Sequence, residues 1–116
     1  HQALAFLIVD MRTAVDSSRL LVQDAACRAD VGQAFEEAAA TAFVEALESA
    51  LFVTPNALQI FGGQGFMQDL PLEKYMREAR TLGLLAGGID LAKEIAGQAL
   101  CELDSTVELS ALAQAE

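Results

Sequence analysis

Cationic residues are scarce in this sequence: seven Lys and Arg stand against seventeen Asp and Glu, a formal net charge of −10. A nucleic-acid-binding face must neutralise phosphates with clustered cations, and no basic run occurs, so nucleic acid is excluded as a partner. Attraction to an anionic membrane surface fails for the same reason. His1 is the sole histidine, which leaves a zinc site short of ligands. The two cysteines, Cys27 and Cys101, are far apart and form no CxxC pair. They are expected as buried thiols, and whether they pair stays open. The longest apolar run, Ala3 to Val9, is too short to cross a bilayer and lacks a basic flank. No alternating strand pattern is present either. The expectation is a soluble, cytoplasmic protein with no metal.

What is abundant is apolar side chain. Of 116 residues, 53% are hydrophobic, with eight glycines besides, and the mean hydropathy is +0.34. Such a composition excludes disorder. It exceeds the roughly 45–50% apolar content of an ordinary domain, so part of the surface is expected to be covered by another chain or domain. The length allows one domain. Beyond Lys93 the charges are all acidic: Glu94, Glu102, Asp104, Glu108 and Glu116. These read as a solvated helix face and tail, dividing the chain into a helical domain, 1–103, and an acidic tail, 104–116.

Helical periodicity dominates. Leu4, Leu7, Ile8, Met11 and Val15 mark one face of a first helix from Gln2 to Ala29, with Asp24 and Arg28 as an i,i+4 pair. Asp30-Val31-Gly32 breaks it. A second helix, from Gln33 to Phe61, sets Phe35, Ala38, Ala39, Ala42, Phe43, Leu47, Ala50 and Leu51 inward and is kinked by Pro55. Gly62-Gly63-Gln64-Gly65 stops it. Pro71 opens a third helix that carries Glu73 early and Arg77 and Arg80 late. Gly87-Gly88 interrupts again, and a last helix spans Ile89 to Leu103. A further short helix is expected after it, capped by Asp104 or Ser105. The fold class is an all-α, antiparallel up-and-down helical bundle.

The most informative stretch runs from Ala57 to Arg80. A glutamine, Gln59, precedes a Gly-Gly-x-Gly turn (Gly62, Gly63, Gly65) closed by Phe66. After a short loop come Pro71, Glu73, Lys74, Arg77, Glu78, Ala79 and Arg80. Small residues in such a turn let a phosphorylated ligand approach the backbone. A turn that merely ends a helix is the alternative.

This stretch resembles the signature of the acyl-CoA dehydrogenase family, and the opening HQALAFLIVDM resembles a long helix of that family's C-terminal domain. The resemblance runs from residue 1 to about residue 103. It implies a four-helix domain lacking its first helix, taken from a flavoprotein that oxidises the Cα–Cβ bond of an acyl-CoA to an enoyl-CoA. It also implies FAD as cofactor, an electron-transfer flavoprotein as acceptor, and assembly into a homo-oligomer. Within the family the Q-x-x-G-G segment contacts the FAD pyrophosphate of a neighbouring subunit, a role that falls here on Gln59 and Gly63, with Gly62 as the supporting turn. Arg77 is read as the ion-pair partner of Glu73.

Three positions depart from the family. Ala86 fills the place where many members carry the catalytic glutamate, and alanine cannot take a proton; other members hold that base on an earlier helix. Gly88 and Asp90 fill the places of flavin-facing residues. Asp90 keeps an acceptor for the flavin, or else serves as the N-cap of the last helix. No catalytic residue is assigned within the chain, and the 116 residues alone are expected to be inactive. The alternative is a non-catalytic member, or one subunit of a hetero-oligomer, in which the domain supplies an interface.

Overall fold

The structure, a computed structural model, describes the backbone of residues 1–113 and the side chains of residues 1–102. The described residues form four α-helices, α1 (Gln2–Asp30), α2 (Glu36–Phe61), α3 (Leu72–Leu82) and α4 (Gly88–Ala113), with no strand. Short 3-10 segments, Gly62–Phe66 and Leu85–Gly87, join α2 to α3 and α3 to α4.

Asp30-Val31-Gly32 ends α1 by a Schellman arrangement. Gly32, at φ 72°, donates its N–H to the Ala29 carbonyl at 3.1 Å, while Gln33 donates to that of Arg28 at 2.9 Å. Because Gln33 is spent in closing α1, α2 starts at Glu36, three residues later than the periodicity predicts. Asp24 and Arg28 pair at 2.9 Å, as their spacing predicts.

Helix α2 is the central element, with α1, α3 and α4 each packed on it. It continues through Pro55 to Phe61. Proline offers no N–H to the Leu51 carbonyl, while its neighbours turn back on the helix. Thr54 Oγ1 donates to the Ala50 carbonyl at 2.8 Å and Asn56 Nδ2 to that of Phe52 at 2.7 Å. From Glu36 to Phe66 the segment is long and apolar enough to cross a bilayer, with a hydropathy of 1.2. Its apolarity is spread over alanines, so a search for unbroken runs finds only Ala3 to Val9.

The core is built from small residues. Ala25, Ala38, Ala40, Ala42, Leu47, Ala79 and Ala92 are its buried hydrophobics, and no large described side chain is fully buried. Alanine permits close helix approach but supplies little area. Of the expected inward positions, Ala38, Ala42 and Leu47 are buried, whereas Phe35, Ala39 and Leu51 lie exposed at the edges of α2. On α1, Leu7 and Met11 are half-buried, but Leu4, Ile8 and Val15 face outward. Cys27 and Cys101 are exposed free thiols, not buried ones, because α1 and α4 each press only one side onto α2.

Two expected boundaries shift near the C-terminus. Pro71 is the residue before α3, not its first, and its carbonyl accepts the N–H of Tyr75 at 3.0 Å. Helix α4 continues past Leu103 to Ala113, so neither Asp104 nor Ser105 caps a new helix. Nothing between Leu100 and Ala113 is a proline or glycine that would force a break. Residues 114–116 of the acidic tail lie outside the described residues.

Candidate functional site: the glycine turn after α2

Gln59 sits exposed in the last turn of α2, and its carbonyl accepts the N–H of Gly62. Gly62 adopts φ 56° and ψ −135°, a backbone that L side chains rarely adopt, and this reverses the chain off the helix axis. Gly62 and Gly63 are both exposed, and a Cβ built on either would meet no atom within 4 Å. The turn therefore presents open backbone on its outer side. Its inner side is closed: Gly65 is buried, and a Cβ there would lie 2.8 Å from the Leu58 carbonyl oxygen and 3.2 Å from Phe61 Cβ. Gly65 belongs to the Gly-Gly-x-Gly motif, but its residue type does not announce this packing role. Its contact is with backbone from an earlier turn, which no local pattern displays.

The segment beyond the turn is spent on itself. The Met67 N–H donates to the Gln64 carbonyl at 3.1 Å, and Leu70 donates to Met67 at 3.3 Å. On α3, Arg77 pairs with Glu73 through two contacts of 2.9 and 3.2 Å, as expected, and Lys74 lies 3.5 Å from Glu78. These side chains are solvent-exposed, so each pair adds roughly 0–1 kcal/mol. Ala79, 3% exposed, is the only buried residue of α3. The motif thus divides into an open glycine turn, a self-paired charged face and one packing alanine.

Asp90 lies on another element, exposed in the first turn of α4. The helix begins two residues earlier, at Gly88, so Asp90 is not an N-cap. Its carboxylate instead sits near the positive end of the α4 dipole, a favourable place for an acidic side chain. Among the described residues no hydrogen bond joins it to the glycine turn.

The second turn has a feature that residue types do not reveal. Ala86 lies at φ 55° and ψ 29°, the only positive-φ residue other than glycine among those described. Gly87 and Gly88 follow at φ 89° and 82°, giving three consecutive left-handed residues. Ala86 also borders a mainly apolar cavity of about 350 Å3 between α2 and α4, walled by Phe35, Glu36, Ala39, Phe43, Ala92 and Ile95. Ala86 itself has no group that can accept a proton, and the carboxylate of Glu36 at the cavity wall accepts the Phe35 N–H at 3.1 Å.

The comparisons with known proteins agree with one another. The family profile described as "Acyl-CoA dehydrogenase, C-terminal domain" matches residues 1–101. The probable acyl-CoA dehydrogenase FadE25 of Mycobacterium tuberculosis is 36% identical over 102 residues, covering 85% of this chain and 26% of that protein. The acryloyl-CoA reductase (NADH) of Anaerotignum propionicum is 38% identical over 94 residues, 81% of this chain and 24% of its own length. Butyryl-CoA dehydrogenase from Megasphaera elsdenii superposes with a TM-score of 0.84 at 34% identity, over 87% of this chain and 26% of that one. A chain in the structure of the electron transferring flavoprotein of Acidaminococcus fermentans does so with a TM-score of 0.84 at 39% identity, over 86% and 26%. This chain spans about a quarter of the length of these proteins. With its all-α fold and its Gln59–Arg80 signature, the chain belongs to the acyl-CoA dehydrogenase family, whose C-terminal domain it matches.

Proposed function

We propose that this chain is the C-terminal helical domain of a longer FAD-dependent oxidoreductase that converts an acyl-CoA thioester to its enoyl-CoA and passes electrons to an electron-transfer flavoprotein. The observation that carries this reading is the open outer side of the Gly62–Gly63 turn, beside an exposed Gln59. A pyrophosphate needs donors and room for close approach, and the turn offers both. Gln59 contributes a side-chain NH2 and Gly63 a backbone N–H, while Gly62 keeps the approach clear. The dipole of α2 adds nothing favourable, because its carbonyl end points this way. The remaining positive charge must come from elsewhere in the assembly.

The flavin, when bound, accepts the hydride that leaves the β-carbon. Asp90, exposed in the first turn of α4, is the acceptor this reading assigns to the flavin. Ala86 takes no part in proton removal, and no base is assigned among these residues. The test is visible flavin absorbance in the purified full-length protein. Its absence, with saturating FAD supplied, defeats the reading.

The surface supports assembly. The accessible area is 8500 Å2, against roughly 6,100 Å2 expected for a compact monomer of this mass. The radius of gyration, 18.9 Å, compares with about 13 Å for a compact chain of similar length. Two chains, or a chain and its neighbouring domain, would cover the excess.

Ala86 favours a second reading, in which the protein is a non-catalytic member of a hetero-oligomer and supplies an interface with half a flavin site. Flavin bleaching on addition of acyl-CoA to the full-length protein alone supports the enzyme. Flavin that binds but never bleaches supports the scaffold.

A further inference from the structure

We propose that Gly65 is a positioning residue for the Gln59–Gly63 turn, holding it in place by its lack of a side chain. The inference rests on the flavin-binding reading of that turn and goes beyond it. Gly62 frees the chain to leave the axis of α2, but its own torsions do not determine where the following segment lands. Gly65 does, by lying directly on the last turns of α2. It is the only buried residue of the Gly62–Phe66 segment, whereas the others are exposed. Its neighbours are rigid: a Cβ would meet the Leu58 carbonyl oxygen at 2.8 Å, the Phe61 Cβ at 3.2 Å and the Leu58 Cα at 3.4 Å. None of these is the far end of a flexible side chain that could rotate away. Both Leu58 and Phe61 belong to the same helical turns as Gln59, so contact at Gly65 fixes the open glycines relative to the Gln59 side chain. Adding one methyl group therefore lifts the segment off α2 and moves Gly63 away from Gln59.

The geometry is tested first in the unmodified chain, where nuclear Overhauser contacts are expected between the Gly65 Hα protons and the Phe61 Hβ protons. Their absence overturns the proposal whatever any variant does. The second step compares Gly65→Ala with Gly97→Ala, whose Cβ meets nothing within 4 Å. Amide exchange is followed at Gly62, bonded to Gln59, and at Met67, bonded 3.1 Å from the Gln64 carbonyl. Gly65→Ala should speed exchange at both while the amides of α1 stay protected, and Gly97→Ala should change neither. In the full-length protein, Gly65→Ala should weaken FAD retention about tenfold or more, since a binding constellation tolerates displacements of only ~0.5 Å. Unchanged exchange at Gly62 and Met67 overturns the positioning role. Failure of the flavin reading is separately visible, as FAD retention that is indifferent to Gln59→Ala.

Discussion

Ser18 Oγ of α1 and Ser49 Oγ of α2 lie 2.8 Å apart, joining two long packed helices through a pair of hydroxyls. Both also reach the Ala14 carbonyl, at 2.8 and 3.1 Å, and Ser49 is 7% exposed. A buried hydroxyl without a partner costs roughly 1–3 kcal/mol, so a paired one specifies helix register. Ser49→Ala should destabilise the chain by about 1 kcal/mol, because Ser18 retains the Ala14 carbonyl and a longer 3.4 Å contact to the Glu45 carbonyl but loses its 2.8 Å partner on α2. Ser18→Ala with Ser49→Ala should cost less than the sum of the two single changes, since the Ser18–Ser49 hydrogen bond is lost in each single change but can be lost only once. Denaturant titration of the four proteins measures this, and strict additivity would argue against coupling.

Gln59→Ala removes one proposed donor to the flavin pyrophosphate. A neutral hydrogen bond contributes roughly 0.5–1.5 kcal/mol, so FAD affinity in the full-length protein should fall about two- to tenfold. Far-UV circular dichroism should hold or rise slightly, alanine being the better helix former. Equilibrium dialysis against FAD supplies the first number. An unmoved affinity would make Gln59 a surface helix residue only.

The left-handed backbone at Ala86 predicts a stabilising substitution. Alanine in that region stores about 1 kcal/mol relative to glycine, and Ala86→Gly releases it. The midpoint of thermal unfolding should rise by a few degrees, roughly 4–8 °C per kcal/mol for a domain near this size. An unchanged or lower midpoint would mean that the extra freedom of glycine in the unfolded chain outweighs the relief.

Much of this architecture was legible because its signals are local. Asp30-Val31-Gly32 and Gly62-Gly63 end helices through backbone geometry that glycine announces by its identity. Glu73 and Arg77 pair because a helix brings residues four apart together. The misreadings share a different cause. The exposure of Cys27, Cys101 and Leu51 depends on which sides of α1, α2 and α4 find a neighbour, and one chain's periodicity cannot state that. Asp104 resembles a cap by composition, yet nothing around it stops α4. The roles of Gly65 and Ala86 come from non-local contact and from a torsion angle, neither of which is written in residue type.

Self-association follows from the outward apolar residues of α1. Phe6, Ile8 and Val9 are 60, 50 and 60% exposed, and Leu4 adds 39%, on a chain whose core holds little but alanine. Together with half-buried Met11 and Phe43, they form the faces expected to meet another chain. Monomeric soluble proteins rarely expose much more than about 300–600 Å2 of contiguous apolar surface. Covering about 600 Å2 contributes roughly 15 kcal/mol at 25 cal/mol per Å2, before association costs of about 4–15 kcal/mol. The balance is favourable but modest, and each chain brings a charge of −10 against it. Repulsion of that kind is screened by salt, with a Debye length near 10 Å at 0.1 M and about 3 Å at 1 M. Sedimentation at micromolar concentration should therefore show a dimer or tetramer whose affinity rises with salt. Ile8→Glu, which sets a carboxylate on the apolar face, should shift the chain toward monomer without lowering its helicity. A stable monomer at every salt concentration would mean that the exposed face of α1 tolerates water, and the assembly argument would fail.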